Sequence, residues 1–212
     1  MSLFLKIDES NYRLGIWKID ETIDELLDIL PDADKYKNEI AQFTSNSRKL
    51  EWLSVRVLLL KLLGKEKDIY YQPSGKPYLS DTTWHISISH TKGYVAVILS
   101  TGLPGIDIEY YSERVHKIAS KFIGDNEKLS EYSGSTTYSL LLHWSAKEVL
   151  FKCLDEENVD FKKHLWIEPF EIAPNGKFMA QEYRTPSRNT YSIEYMIFPD
   201  FVCTWSVGKT KK

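Results

Sequence analysis

The strongest constraint on the fold is a pattern that occurs twice: a long helical stretch followed by runs that alternate like β-strands. The first helical stretch covers residues 47–64, where apolar side chains recur at helical spacing, Ser47 is the predicted N-cap and Gly64 suits the position after the helix. The second covers residues 138–154. We therefore predict an α+β fold of two similar halves with a ligand-binding cleft between them.

Strand patterns follow both predicted helices. After the first helix, residues 84–90 and 94–99 read as a hairpin-like pair that turns at residues 91–93. After the second, four strands are predicted at residues 166–173, 178–183, 191–198 and 201–207, with Asn175-Gly176 as a hairpin turn. A composition break at residues 100–104 predicts an N-terminal half, 1–101, and a C-terminal half, 102–212. Aligning Trp52 with Trp144 places Arg56 opposite Glu148 in the two halves.

Composition excludes several classes of protein. The 212 residues include 27 basic and 30 acidic side chains, and the net charge of −3 provides no general field for nucleic acid or an anionic membrane. The two cysteines, Cys153 and Cys203, have no further Cys or His at ligand spacing, which argues against a disulfide scaffold and a zinc site. The longest aliphatic run ends at Lys61, so we expect no bilayer-spanning segment and a cytoplasmic location.

Two carboxylates stand two residues apart in the apolar run 105–109. In a strand, Ile106 and Ile108 would point into a core, while Asp107 and Glu109 would share the opposite face. Adjacent like charges raise each other's pKa unless a cation lies between them, so the pair indicates a hard divalent metal with oxygen ligands. A solvated strand edge is the alternative interpretation.

The second predicted helix carries charged residues although most of its circumference is apolar. Trp144, Glu148 and Lys152 share one face at a spacing of four residues. Glu148 could complete a three-carboxylate site for Mg²⁺, or equally for Mn²⁺, and Lys152 could neutralise a phosphate group. The alternative is an internal pair of Glu148 with Lys152 on a solvated strip.

Several residues of the N-terminal half could contact phosphate groups. A hydroxyl and an imidazole stand together at a predicted strand end, a lysine lies between glycine and proline in a rigid turn, and basic residues cluster at the first long helix. A solvated surface position is the alternative for each of them. The residues are Arg48, Lys49, Arg56, Lys76, Ser89 and His90.

These motifs, taken in order, resemble a known family. They are Gly75-Lys76-Pro77, Ile88-Ser89-His90, Gly105-Ile106-Asp107-Ile108-Glu109, Phe122 with Glu127, and Trp144-Ser145-Ala146-Lys147-Glu148 with Lys152. The set resembles the 4′-phosphopantetheinyl transferases, and most of all the large, monomeric type that activates peptide synthetases such as surfactin synthetase. The resemblance spans residues 48–152.

The resemblance implies both an activity and an architecture. It implies transfer of the 4′-phosphopantetheine arm of coenzyme A to a serine of an apo acyl or peptidyl carrier protein, with Mg²⁺ and with release of 3′,5′-ADP. It implies a monomer with a pseudo-twofold pair of α+β halves. The N-terminal half would contact coenzyme A, and the C-terminal half would carry the metal site and the catalytic helix.

The resemblance also implies residue roles. Asp107, Glu109 and Glu148 would hold Mg²⁺, with Glu148 also the general base, either directly or through a water, and Lys152 would stabilise charge on the pyrophosphate. Residues 115–126 resemble the region that docks carrier proteins and contain Lys117 and Lys121. Coenzyme A would be bound by two groups of residues: Ser89, His90 and Lys76 at its phosphates or adenosine, and Arg48 or Lys49 at its 3′-phosphate.

Two other functions stay open at this point. One is a non-catalytic module of the same fold that binds coenzyme A or a carrier protein. The other is a metal-dependent phosphodiesterase or nuclease that uses the same carboxylates, although the lack of a broad basic face disfavours nucleic acid as its substrate.

Overall fold

The chain divides into two compact units, Met1–Thr101 and Gly102–Lys212. A computed structural model describes residues 2–80, 83–154 and 156–210. The elements of the first unit are β1 (Leu3–Asp8), β2 (Tyr12–Lys18), α1 (Ile23–Ile29), α2 (Ala33–Ile40), α3 (Asn46–Leu63), β3 (Ile69–Tyr71), β4 (Pro77–Leu79), β5 (His85–Thr91) and β6 (Tyr94–Ser100). The elements of the second unit are β7 (Gly105–Tyr110), a 3-10 turn (Glu113–Lys117), α4 (Ala119–Phe122), α5 (Thr137–Leu154), α6 (Phe161–His164), β8 (Leu165–Ile167), β9 (Asn175–Glu182), β10 (Thr190–Ile197) and β11 (Phe201–Ser206).

The first unit is a four-stranded antiparallel sheet of order β1-β2-β6-β5 packed against helices. Trp17 of β2 and Val97 of β6 are fully buried in the same core as Leu53 and Leu58 of α3. This packing explains why α3 forms although charged residues interrupt its sequence, because helical stability in a protein comes mainly from the apolar face it buries. Strands β3 and β4 form a separate hairpin.

Helix α3 begins two residues earlier than its sequence predicts. The N-cap is Ser45, whose hydroxyl accepts a hydrogen bond from the backbone amide of Arg48, and the prediction of Ser47 as N-cap is wrong. Both serines satisfy the preference for a hydroxyl at an N-cap, so the sequence alone does not separate them. Gly64 ends the helix with a φ of 72°, a left-handed conformation that glycine adopts without strain.

The second unit is a five-stranded antiparallel sheet of order β7-β11-β10-β9-β8. Helix α5 contributes Leu142, Ala146 and Leu150 to a core that also contains Val202 of β11. The predicted hairpin turn at Asn175-Gly176 is wrong, since both residues are the first of β9 and pair with β10. Between β7 and α5 the chain forms the 3-10 turn and the short helix α4.

Both units connect a strand, a long helix and a closing antiparallel hairpin in the same order. These are β2, α3 and β5–β6 in the first unit, and β7, α5 and β10–β11 in the second. In each unit the last strand of the hairpin pairs with the strand named before the long helix, β6 with β2 and β11 with β7. The prediction of an α+β fold is thereby confirmed.

One strand of each unit, β2 in the first and β7 in the second, has a glycine that lies under the long helix of that unit. A Cβ on Gly15 would meet the side chains of Leu58 and Leu62, and a Cβ on Gly105 would meet Val149 and Cys153. Matching these two contacts places Arg56 opposite Lys147, one residue away from the alignment drawn from the tryptophans. No helix in the described part of the chain is long and apolar enough to cross a membrane.

Candidate active site

The acidic strand β7 turns its carboxylates toward helix α5. Ile106 and Ile108 are almost completely buried, and Asp107 and Glu109 alternate with them on the other face of the strand. Gly105 shares that other face, and a Cβ there would clash with the backbone oxygen of Val149 in α5. The face that carries the two carboxylates is therefore the face that α5 covers.

Side chains on one face of helix α5 form hydrogen bonds with β7. The indole of Trp144 donates a hydrogen bond of 2.7 Å to Glu109 Oε1. Two turns further on, Lys152 Nζ donates to Asp107 Oδ1 at 3.0 Å and to the carbonyl oxygen of Ile106 at 2.7 Å. Glu148 is one turn from each of these contacts on the same helix face. The three carboxylates and Lys152 thus meet where β7 and α5 pack together.

The carboxyl groups influence one another electrostatically. Burial, followed by the nearby Asp107 charge, raises the pKa of Glu109 to about 7, although the hydrogen bond from Trp144 opposes the shift. Burial and the Asp107 charge also raise the pKa of Glu148, and the Lys152 ammonium opposes this shift. The site therefore favours a proton or an added cation beside Glu109 and Glu148.

The donor atoms of this group suit Mg²⁺, which prefers carboxylate oxygens together with water and phosphate. Lys152 supplies the positive charge next to Asp107 in the structure, with 3.0 Å between Nζ and Oδ1. Over residues 2–80, 83–154 and 156–210, no group of three or more His, Cys, Asp and Glu side chains is arranged to hold a metal ion. The carboxylate oxygens are therefore ligands of the type that Mg²⁺ prefers. In this structure the ammonium group of Lys152, and not a metal-binding arrangement, lies against Asp107.

A fully buried ion pair lies directly beside Glu148 in the sequence. Lys147 Nζ donates to Glu127 Oε2 at 2.7 Å and to the carbonyl oxygens of Phe122 and Phe161 at 2.6 and 3.1 Å. Glu127 also accepts backbone hydrogen bonds from Gly124 and Ile167. These bonds tie the loop after α4, the start of α6 and strand β8 to the helix that carries Glu148.

Two of the predicted anion-binding residues of the first unit lie together. Arg48 Nη1 is 3.2 Å from His90 Nε2, and both side chains are exposed. Glu51 Oε2 lies 3.5 Å from Arg48 Nη1 and 3.7 Å from His90 Nδ1. Helix α3 and the end of strand β5 thus present a guanidinium and an imidazole to solvent, joined by one carboxylate.

The other predicted residues of the first unit occupy separate positions. Ser89 is buried in strand β5, next to His90 in sequence. Lys76 precedes β4, and its carbonyl oxygen accepts the amide hydrogen of Gln72 in the β3–β4 turn. Lys49 is half-buried, and neighbouring residues of a helix point in different directions, so it does not share the face of Arg48.

Residues 104–205 match the model of a family described as the 4′-phosphopantetheinyl transferase superfamily. The matched stretch contains β7 and α5. It is also 30% identical over 122 residues to the 4′-phosphopantetheinyl transferase gsp of Aneurinibacillus migulanus, an alignment that covers 55% of this chain and 51% of that protein. The chain therefore spans about half the length of this curated relative.

The superfamily match includes a group of residues whose contacts the sequence did not predict. Glu127 and Lys147 stand in the motifs quoted above, but no contact between them was predicted because 20 residues separate them. The hydrogen bond from Trp144 to Glu109 was not predicted either. A charged residue on a strongly apolar helix, such as Lys147, is the one sequence signal that could have indicated the buried pair, since burial of a charge requires a partner.

Proposed function

We propose that this protein transfers the 4′-phosphopantetheine arm of coenzyme A to a serine of an apo acyl or peptidyl carrier protein and releases 3′,5′-ADP. The observation that carries the proposal is the meeting of Asp107, Glu109, Glu148 and Lys152 between β7 and α5, within the stretch that matches the superfamily. The curated relative that matches is named as such a transferase, which supports the same reaction.

Glu148 is the proposed general base. Its carboxylate is partly buried, and burial together with the Asp107 charge raises its pKa, which brings the group closer to the pH at which it must accept a proton. It would take the proton from the attacking serine hydroxyl while the serine oxygen bonds to the β-phosphorus of coenzyme A. The bond to the leaving 3′,5′-ADP then breaks.

Lys152 and the carboxylates of β7, through a bound metal, would neutralise the negative charge of the pyrophosphate. When bound, Mg²⁺ would neutralise charge on the phosphate oxygens, and Asp107, Glu109 and Glu148 are the residues that would hold it; Mn²⁺ would accept the same oxygen ligands. Lys152 would stabilise the leaving phosphate as a point charge. Trp144 would keep the Glu109 carboxylate oriented through its 2.7 Å hydrogen bond.

The first unit would contact the rest of coenzyme A. Arg48 and His90 are the best-supported contacts, because their exposed side chains lie 3.2 Å apart and both can donate to phosphate oxygens. Lys49 stays an alternative to Arg48 at the 3′-phosphate. Ser89 and Lys76 would contact the phosphates or the adenosine.

Residues 115–126 would dock the carrier protein. In this segment Val115 and Phe122 are buried, while Lys117 and Lys121 are exposed on the 3-10 turn and α4. Such a basic, anchored surface suits the acidic helix that carrier proteins present around their serine. We further propose that the enzyme acts as a monomer in the cytoplasm.

The decisive experiment incubates the purified protein with coenzyme A, Mg²⁺ and several apo-carriers, and detects the phosphopantetheine adduct by mass spectrometry. We expect an adduct on at least one carrier, an equal amount of 3′,5′-ADP, and loss of both when EDTA removes the metal. A carrier whose acceptor serine is replaced by alanine is the matched control and should gain no mass.

The same assay separates the remaining functions. Tight binding of coenzyme A with no adduct on any carrier would overturn the transferase and favour a non-catalytic binding module. Cleavage of coenzyme A in the absence of a carrier would favour a metal-dependent phosphodiesterase instead.

A further inference from the structure

Glu51 of helix α3 lies against both side chains of the first unit that we regard as the best-supported phosphate contacts. Its Oε2 atom is 3.5 Å from Arg48 Nη1 and 3.7 Å from His90 Nδ1. Arg48 and Glu51 are neighbours on the helix surface because they are three residues apart on α3, and His90 reaches them from strand β5. One carboxylate oxygen therefore faces both groups.

The contact between Arg48 and His90 determines which imidazole nitrogen carries the hydrogen. Arg48 Nη1 lies 3.2 Å from His90 Nε2, and a guanidinium can only donate, so Nε2 is the acceptor. The ring hydrogen of the neutral imidazole is then on Nδ1, which is the nitrogen 3.7 Å from Glu51 Oε2. The imidazole therefore presents its N–H on the side of the carboxylate, where a phosphate oxygen would compete for it.

The carboxylate is more shielded from solvent than its two neighbours. The side chain of Glu51 is 20% exposed, against 48% for Arg48 and 45% for His90. Its other oxygen, Oε1, lies 3.5 Å from the hydroxyl of Ser47 on the same helix. A phosphate group that arrives from solvent would contact Arg48 and His90 with Glu51 behind them, and the negative charge of Glu51 would repel it at short range.

A carboxylate that only positioned Arg48 and His90 would have the opposite effect on binding. The distances of 3.5 and 3.7 Å from Glu51 Oε2 are longer than those of N–H···O hydrogen bonds, which are about 2.7–3.2 Å. Exposed ion pairs of this kind do little to fix a side chain. We therefore expect repulsion of the ligand to outweigh support of the two side chains.

We infer that Glu51 is a specificity-determining residue, which lowers the affinity of Arg48 and His90 for a terminal phosphate group. It would thereby reduce the preference of the protein for coenzyme A over dephospho-coenzyme A, which lacks the 3′-phosphate. The inference rests on the proposed function, in which Arg48 and His90 contact coenzyme A. The product 3′,5′-ADP keeps the same phosphate, so the charge of Glu51 would also favour its release.

The test is an isothermal titration of the full chain with coenzyme A and, separately, with dephospho-coenzyme A, in the absence of a carrier. Glu51→Gln keeps the size of the side chain and removes its charge. We expect this change to tighten binding of coenzyme A about three- to tenfold, and to alter binding of dephospho-coenzyme A by less than about twofold. Glu9→Gln, which removes an exposed carboxylate between β1 and β2, is the matched control and should bind both compounds as the wild type does.

Ionic strength provides a second measurement. Because the three side chains are partly exposed, added salt should reduce the difference between Glu51→Gln and the wild type for coenzyme A. Unchanged or weaker binding of coenzyme A by Glu51→Gln would overturn the inference. An equal change for both compounds would also overturn it, because the effect would not involve the 3′-phosphate.

The titration also separates this inference from the proposed function. If the wild type binds neither compound, the proposed coenzyme A contacts fail together with the inference. If the variants bind as expected but no carrier gains an adduct, the transferase reaction alone is contradicted.

Discussion

The long helices of the two units, α3 and α5, are the same length. Each lies between the paired strand and the closing hairpin of its unit. The two helices differ in the charged residues that they and their neighbouring strands carry. Each follows a strand with a glycine under the helix, Gly15 for α3 and Gly105 for α5. Two residues after that glycine, the first unit has Trp17, fully buried in its core, and the second has Asp107. The same position thus holds a core residue in one unit and a carboxylate of the candidate site in the other.

The buried cations of the two helices differ in the same way. Lys147 of α5 is fully buried and paired with Glu127 and two backbone carbonyls. Arg56, at the matching position of α3, stacks on Trp52 and borders a cavity. The comparison teaches that this fold accepts a buried cation in its long helix when a carboxylate, backbone carbonyl oxygens or an aromatic ring stabilises the charge.

The largest expected effect concerns Glu148, which has no acidic counterpart in α3. Glu148→Gln should lower the transfer rate by about two to four orders of magnitude if Glu148 is the general base, because the amide cannot accept the serine proton. The measurement is the initial rate of adduct formation with coenzyme A and carrier both saturating. Asp28→Asn, an exposed change on α1, is the control. A near-normal rate for Glu148→Gln would assign the base to another group.

The next effect contrasts the two buried cations. Lys147→Met should destabilise the protein by about 3–5 kcal/mol, because Glu127 would remain buried without its partner. Arg56→Met should change stability by no more than about 1–2 kcal/mol, because it leaves no buried carboxylate unpaired.

Urea denaturation monitored by circular dichroism gives both free energies of unfolding. The double variant Lys147→Met with Glu127→Gln should recover part of the loss, since it removes both charges. Equal losses for Lys147→Met and Arg56→Met would show that the contrast between the helices has no energetic basis.

The pH dependence of stability tests whether the neighbouring carboxylates of the second unit raise the pKa of Glu109. The pKa of Glu109 is about 7 in the folded protein and 4.5 as its ordinary value, so the folded state keeps a proton that the unfolded state loses. The contribution of Glu109 to stability therefore falls as pH rises from about 4.5 to 7. Glu109→Gln should gain about 1–3 kcal/mol over the wild type at pH 8 and nothing at pH 4.

The free energy of unfolding of both proteins, measured across this pH range, checks the prediction. Millimolar Mg²⁺ should narrow the difference at pH 8 if the carboxylates bind the metal. A constant difference between wild type and variant at all pH values would contradict the raised pKa.

The smallest effect compares the two glycines. Gly105→Ala should destabilise the protein by about 1–3 kcal/mol, since its Cβ would clash with the backbone oxygen of Val149, which cannot move without shifting α5. Gly15→Ala should destabilise less, because its Cβ would meet the Leu58 side chain at 2.6 Å and a side chain can change rotamer. Thermal unfolding ranks the two variants, and the reverse order would mean that β2 packs more rigidly than β7.

Periodicity predicted the main elements well and their ends less well. The two long helices and the hairpin of β5 and β6 appear where the sequence pattern placed them. The N-cap of α3 was missed by two residues because Ser45 and Ser47 are chemically equivalent caps. The Asn175-Gly176 pair looks like a turn but begins β9, since pairing with β10 outweighs the local preference of these residues.

The sequence by itself determined the α+β pattern, the alternation that separates Ile106 and Ile108 from Asp107 and Glu109, and the shared face of Trp144, Glu148 and Lys152. These follow from the periods of strand and helix, which are local properties of the backbone. Only the tertiary structure decided which partners meet. The contacts of Trp144 with Glu109, of Lys152 with Asp107 and of Lys147 with Glu127 join residues 20 to 45 positions apart. Such contacts depend on how strands and helices pack, and no local period encodes that packing.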